Sequence, residues 1–167
     1  TVTYEYKRND VGNVIVHHYE NGTTNEVSPD EILSGVGKSG LTYTTAAVNL
    51  ANFTVVNATP ANHTGVYPAS GNTVVTYYYT RNDAGDVLVH HYEAGTTTSL
   101  AADENLPGAG KSGLTYTTAP VTIANYTVVN ATPTDHTGVY PASGVRTVTY
   151  EYRRDDAGDV TVRYVDD

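Results

Sequence analysis

The sequence repeats itself with a period of 73 residues. Gly12, Gly85 and Gly158 are separated by this interval (85 − 12 = 158 − 85 = 73), and the residues around them return in step. The segment GKSGLTYTTA at 37–46, for example, returns at 110–119. A fixed period is typical of tandem arrays in which each repeat is one structural unit. The chain is therefore predicted to contain two full units with partial copies at both ends.

The repeat register also predicts the domain boundaries. Residues 10–82 are expected to form the first repeat domain and residues 83–155 the second. Residues 1–9 are expected to be the closing strand of a preceding repeat, and residues 156–167 the first strand of a following one. Units of this size bury a modest core, so neighbouring copies can support one another.

Strand-forming residues dominate the composition and predict a mainly β fold. The chain has 15 Tyr, and branched Thr and Val residues abound. Apolar and polar residues alternate in 1–7 and in 14–20, as in strands with one apolar face. Ser28-Pro29-Asp30-Glu31 has the pattern of a capping box, so a short helical turn and a β-rich α+β fold are the alternative. Further strands are predicted at 41–46, 53–58, 65–67 and 75–79, with equivalents 73 residues later.

Asn or Asp combined with Gly marks each junction between repeats. These residues lie at 9–12, 83–85 and 156–158. Gly supplies a positive φ, and Asn or Asp bonds the local backbone, so the pattern favours hairpins. Such a hairpin either joins neighbouring domains or lies within one compact domain.

Charge and cysteine content exclude several classes of partner and site. The chain carries 18 acidic and 9 basic residues, for a net charge of −9. This balance repels phosphate backbones and anionic membranes, so neither nucleic acid binding nor membrane insertion is expected. The absence of cysteine excludes disulfides and Cys-ligated metals. No apolar run approaches the roughly 20 residues of a membrane-spanning helix.

The paired histidines at 17–18 and 90–91 raise the question of a metal site. Adjacent strand residues point to opposite faces, so one pair cannot chelate a single ion. Arg163 and Tyr164 occupy the equivalent positions in the third copy. His17 and His90 are therefore predicted to be exposed, and His18 and His91 to be partly buried packing residues.

Other chemistry finds little support in the sequence. The Asp-rich junctions at 83–86 and 155–159 lack the spacing and closing Glu of a calcium loop, so no metal ligand and no cofactor is predicted. Lys38 and Lys111 are the only recurrent lysines and lie in Gly-flanked segments, so no covalent cross-link is predicted. No motif positions a nucleophile, so we predict no catalytic residue and a non-enzymatic role.

The order of short motifs resembles the MucBP (mucin-binding protein) repeats of Gram-positive surface adhesins. The motifs are a Val-x-Val-x-Tyr strand at 160–164, Gly-Lys…Tyr-Thr-Thr at 37–45, Phe-Thr-Val-Val at 53–56, Gly-x-Tyr at 65–67 and Val-Thr-Tyr-x-Tyr at 75–79. The resemblance covers both units and both partial ends. It implies tandem small β-grasp (ubiquitin-like) domains in an elongated array. Because the family's repeats close with the Val-Thr-Tyr-x-Tyr strand, it also favours hairpins that join neighbouring domains.

The same resemblance implies a monomeric, cell-wall-anchored surface protein that binds host mucin or other glycans, with its anchor outside this chain. Tyr rings stack on sugar C–H faces, and their hydroxyl groups bond sugar oxygens. The His-Thr-Gly-Val-Tyr segments place His63 near Tyr67, and His136 near Tyr140. These four residues are the predicted glycan-binding sites. The alternative is a stalk whose repeats project a distant ligand-binding domain from the wall.

Overall fold

The chain folds into two compact all-β units, Thr1–Asn82 and Asp83–Asp167. The computed structural model describes residues 1–134 and 136–166, and within these ranges there is no helix and hence no candidate membrane-spanning helix. The predicted β-rich fold in tandem small domains is confirmed.

Six strands form the first unit. They are β1 Val14–Glu20, β2 Glu26–Leu33, β3 Thr42–Thr44, β4 Phe53–Thr59, β5 Thr64–Val66 and β6 Thr73–Arg81. The main sheet has the order β2-β1-β6-β4, and β3 pairs with β5 in a separate antiparallel ribbon. The central strands β1 and β6 run parallel, whereas β2 and β4 are antiparallel to their neighbours.

The second unit repeats this arrangement. Its strands are β7 Asp86–Glu93, β8 Glu104–Leu106, β9 Thr115–Thr117, β10 Tyr126–Thr132, β11 Thr137–Val139 and β12 Val145–Arg154. The main sheet has the order β10-β12-β7-β8, and β7 runs parallel to β12. The strands at the predicted positions are confirmed in both units.

One face of each sheet carries the core. Along β1 the buried residues alternate with half-buried ones, as the period of two requires. Along β6, Val75, Tyr77 and Tyr79 point into the core, and Thr76 between them is also buried. Tyr43 from the β3–β5 ribbon and Ala58 of β4 complete the core of the first unit. On the opposite face His17, Tyr19 and Tyr78 are half-buried.

The predicted helical turn at residues 28–31 is wrong, because these residues belong to β2. Ser28 pairs with His18, and Glu31 pairs with Val16. The register shifts between these two pairs, and this irregularity accommodates Pro29 and Asp30. Pairing with the central strand therefore overrides the local capping signal.

The described residues at the two ends of the chain form no strand, and their assignment to a preceding and a following repeat stays a prediction. Val2, Tyr4 and Tyr6 are 77–93% exposed, and neither 1–7 nor the described residues of the last segment form a strand. The copies of 1–7 at 74–80 and 147–153 are strands because each lies between two partner strands. A strand without a neighbour forms no inter-strand hydrogen bonds and buries no apolar face, so sequence pattern alone does not form one.

The junctions do not form the predicted hairpins. Residues 82–85 connect β6 to β7, which belong to different sheets. The aspartates at the first two junctions instead bond to the unit that follows them. Asp10 Oδ1 accepts a hydrogen bond from Gly37 N–H, and Asp83 Oδ1 accepts one from Gly110 N–H, both at 2.8 Å.

Candidate functional site

A cavity of about 490 Å³ lies beside β4 in the first unit. Its polar lining consists of Thr45, Asn57, His63 and Tyr77, and Val and Ala side chains supply the rest. The residues that follow β3, the strand β4 and Tyr77 of β6 thus meet beside His63. The lining combines aromatic rings and polar groups with apolar side chains, and the volume of the cavity falls within the usual range for small-molecule sites.

His63 occupies a constrained position at the start of β5. Its φ of 45° lies in the left-handed region, which Asn, Asp and His tolerate better than most residues. Its ring centroid is 5.2 Å from that of Tyr77, and its carbonyl oxygen accepts a hydrogen bond from Thr45 Oγ1 at 3.2 Å. Nδ1 of His63 is buried and has no hydrogen-bond partner among the described residues. His63 therefore carries one unused polar atom beside the cavity.

The same contacts recur around His136 in the second unit. Its φ is 48°, and its ring lies 5.3 Å from that of Tyr150. Thr118 Oγ1 donates to the His136 carbonyl oxygen at 3.1 Å and lies 2.8 Å from the Tyr150 hydroxyl. Within residues 1–134 and 136–166, His136 Nδ1 also has no partner.

Tyr67 lies at the other end of β5 from His63. Its ring packs edge-on against Tyr43, with centroids 5.8 Å apart and planes at 76°. Tyr140 packs in the same way against Tyr116, at 5.7 Å. The two members of each predicted pair thus contact different tyrosines, and only His63 lines the cavity. The glycan-binding role of all four residues stays a prediction.

His18 and His91 are more deeply buried than predicted. His18 is 0% exposed and His91 is 1% exposed. Desolvation lowers the pKa of both rings, and the carboxylates of Glu31 and Glu104 offset part of this effect. Burial against the tyrosines of β6 and β12 makes these histidines part of the core.

The neighbouring histidines are half-buried rather than exposed. His17 Nδ1 lies 2.6 Å from Asp30 Oδ1, and the ring stacks on Tyr19 at 5.3 Å. His90 Nδ1 lies 2.8 Å from Asp103 Oδ1. The aspartates belong to the segment after the first strand of each unit, whose pairing the sequence did not reveal. As predicted, adjacent histidines point to opposite faces.

The aspartates at the junction that begins the second unit accept hydrogen bonds from backbone N–H groups. Besides the Asp83 bond, Asp86 Oδ1 accepts a hydrogen bond from Gly108 N–H at 2.8 Å. In the described part of the chain, no group of three or more His, Asp and Glu side chains is arranged to hold a metal ion.

Sequence reasoning missed Thr45, Asn57 and Tyr77 as cavity residues. The alternation along β6 could have placed Tyr77 on the core face. The register of β4 against β6, which shifts between Val55 and Asn57, carries no sequence signal that we recognise. The alternation along β1 places Tyr19 on the opposite face of the sheet, but its pairing with Tyr78 was missed because it joins strands far apart in sequence.

Comparisons with known proteins identify relatives of both units. A family model described as "MucBP domain" matches residues 13–80 and 86–153. Internalin J of Listeria monocytogenes serovar 1/2a is 36% identical over 171 residues, and Internalin J of serotype 4b is 34% identical over 170 residues. These alignments cover 99% and 100% of this chain but only 19% and 18% of the relatives, so the chain spans about a fifth of their length.

Solved structures of surface repeats are more distant. One is described as "Streptococcal High Identity Repeats in Tandem (SHIRT) domains 3-4 from cell surface protein"; it is 12% identical, with a TM-score of 0.39, and the match covers 88% of this chain and 100% of that one. Another is the "Type 2 repeat of the mucus binding protein MUB from Lactobacillus reuteri"; it is 14% identical, with a TM-score of 0.25, and covers 84% and 98% of the two chains.

Proposed function

The chain belongs to the MucBP family, as its motifs predicted, and on that premise we propose that it is a repeat segment of a bacterial surface adhesin. Each unit binds a host mucin glycan or a similar glycan weakly and without catalysis. The protein acts outside the cell, held to the cell wall by a region beyond this chain.

The cavity beside His63 is the observation that supports glycan binding best. The half-buried ring of His63 and the exposed amide of Asn57 line a space large enough for a monosaccharide, whereas the other two polar lining residues, Thr45 and Tyr77, are buried. Sugars need both features, because their C–H faces stack on aromatic rings and their hydroxyl groups need polar partners. The recurrence of the His–Tyr–Thr contacts in the second unit supports one site per unit. Linked weak sites gain avidity because the second binding event becomes intramolecular.

Binding of the intact chain to mucin and to a glycan array tests this function. His63→Asn and His136→Asn remove the ring while keeping a residue that tolerates the left-handed backbone. Either single variant should bind more weakly than the parent chain, and the double variant should lose binding while melting normally. Tyr67→Ala with Tyr140→Ala tests the other two predicted residues.

Tyr78→Ala is the control on the opposite sheet face. If only this variant loses binding, the glycan site lies on the sheet face of Tyr78 and not at the cavity, and the adhesin function is retained. Failure of the parent chain to bind any glycan, even at high concentration, would contradict the adhesin function and favour the second candidate.

The second candidate is a spacer, and the path of the chain through each unit favours it. β1 begins at Val14 and β6 ends at Arg81, and the two strands are parallel. The chain therefore enters a unit at one end of its central strand pair and leaves at the other. At about 3.3 Å per residue, a strand such as β6 adds length on the order of 30 Å. A spacer would bind no glycan but would retain this geometry.

We also propose residues 10–82 and 83–155 as the domain boundaries, and a helix-free variant of the β-grasp fold for each domain. The bonds from Asp10 to Gly37 and from Asp83 to Gly110 support the boundaries, because each junction residue is tied to the unit that follows it. The mixed sheet with a parallel central pair supports the fold.

A further inference from the structure

The first and last strands of each unit are also the two central strands of its sheet. In the first unit, β1 and β6 pair in parallel register from Val14↔Thr73 to Glu20↔Tyr79. Backbone hydrogen bonds extend this ladder at both ends: Thr73 N–H donates to Asn13 O at 2.9 Å, and Asn21 N–H donates to Tyr79 O at 2.8 Å. An unbroken ladder thus joins the segment where the chain enters the unit to the segment where it leaves.

We propose that this strand pair is a mechanical clamp that keeps each unit folded when the chain is pulled from its two ends. Tension on the residues before β1 and after β6 pulls the two parallel strands in opposite directions along their own axes. Sliding of this kind loads all the inter-strand hydrogen bonds at once. Pulling both strands from the same end would instead break the bonds one after another. This load-bearing function is separate from glycan binding, and it would serve an adhesin or a spacer equally.

Burial protects the clamp from water. Val14, Val16 and Val75 line its core side and are 0% exposed. His18 of β1 stacks on Tyr77 of β6 with ring centroids 5.7 Å apart, and its Nδ1 lies 2.8 Å from the Tyr79 hydroxyl. On this side water cannot reach the ladder to replace its hydrogen bonds one at a time, which favours failure of the bonds together.

The outer strands hold each half of the clamp in place. β2 pairs with β1 and β4 pairs with β6, both antiparallel. Separation of the central pair therefore tears the sheet through its middle. The second unit has the same design, since β7 and β12 pair in parallel from Asp86↔Val145 to Glu93↔Tyr152.

Single-molecule force measurements on the whole chain test the clamp directly. The chain contains no cysteine, so handles can be attached at introduced pairs. Asn9→Cys with Thr80→Cys pulls β1 and β6 in opposite directions, whereas Asn9→Cys with Ser70→Cys pulls the same two strands from one end. All three positions are exposed. We expect the first pair to require a several-fold higher unfolding force than the second, and equal forces would overturn the proposal.

A pair of core variants separates the clamp from general stability. Val75→Ala opens a cavity inside the strand pair, and Leu50→Ala removes contacts from the same core outside it. Each variant is measured at its own denaturant concentration. The two concentrations are chosen so that both variants have the same free energy of unfolding. Val75→Ala should then unfold at the lower force in the Asn9–Thr80 geometry. Equal forces at equal stability would mean that the whole core, and not the central pair, sets the resistance.

Discussion

Nδ1 of His18 lies 2.8 Å from the hydroxyl oxygen of Tyr79, in the buried core between the first and last strands of the first unit. The same hydroxyl accepts a hydrogen bond from Val48 N–H at 3.0 Å. In the second unit, His91 and Tyr152 repeat the contact at 2.8 Å. This arrangement suits a neutral imidazole whose Nδ1 accepts a hydrogen bond from the Tyr79 hydroxyl group.

Stability should fall as the pH is lowered. Burial lowers the folded-state pKa of His18 and His91 below the ordinary value of 6.5. For His18, the carboxylates of Glu31, Asp30 and Glu26 oppose this shift without cancelling it. The unfolded chain therefore binds protons more readily than the folded one. The contribution to stability is complete above the unfolded pKa and is lost as the pH falls through the lowered folded pKa.

Urea unfolding at about pH 7 and about pH 5 measures this effect, because the window spans the titration of histidine. The free energy of unfolding should be lower at the acid end. His18→Gln with His91→Gln should reduce the pH dependence while lowering stability at neutral pH. Identical midpoints for the parent chain at both pH values would show that these histidines do not couple protonation to folding.

Tyr79→Phe should destabilise the first unit by about 1–3 kcal/mol, because it leaves the buried Nδ1 of His18 and the part-buried N–H of Val48 without their partner. Tyr78→Phe is the matched control, since Tyr78 neighbours it on the open face of the same strand. Chemical denaturation followed by tyrosine fluorescence or circular dichroism provides the measurement. Equal effects from the two substitutions would mean that the buried hydroxyl contributes nothing specific.

Gly85→Ala should destabilise the second unit, whereas Gly158→Ala should be neutral. The two glycines occupy the same position in the repeat. A Cβ on Gly85 would overlap the backbone of Ser143 and Gly144, whereas a Cβ on Gly158 meets nothing within 4 Å. Forcing a side chain into such a contact typically costs about 1–3 kcal/mol. Thermal melts of the two variants compare the sites, and a neutral Gly85→Ala would contradict the close backbone approach.

Removal of residues 1–8 and 156–167 should leave the melting temperature nearly unchanged. Val2, Tyr4 and Tyr6 are exposed, and so are Val160 and Val162, so their apolar surface adds little to either core. The shortened chain keeps Asn9, whose carbonyl accepts a hydrogen bond from Ser39 N–H at 3.1 Å. Calorimetry on both forms makes the comparison, and a large drop would show that the end segments belong to the folded units.

Much of the fold follows from local sequence. The alternation in Val14–Glu20 predicted the first strand with its boundaries, and the 73-residue period carried each prediction into the second unit. The alternation also placed His17 and His18 on opposite faces. The alternation could not predict how deeply each histidine is buried, because burial depends on the strands and loops that cover each face.

The sequence by itself determined the β character, the tandem units and the positions of most strands, because these depend on side-chain periodicity and on similarity between copies. Only the tertiary structure decided that residues 28–31 form a strand, that 1–7 does not, and that Thr45, Asn57, His63 and Tyr77 meet at one cavity. Each of these outcomes depends on a partner distant in sequence. A strand needs another strand to satisfy its backbone groups, and a cavity needs segments whose relative register no local pattern specifies.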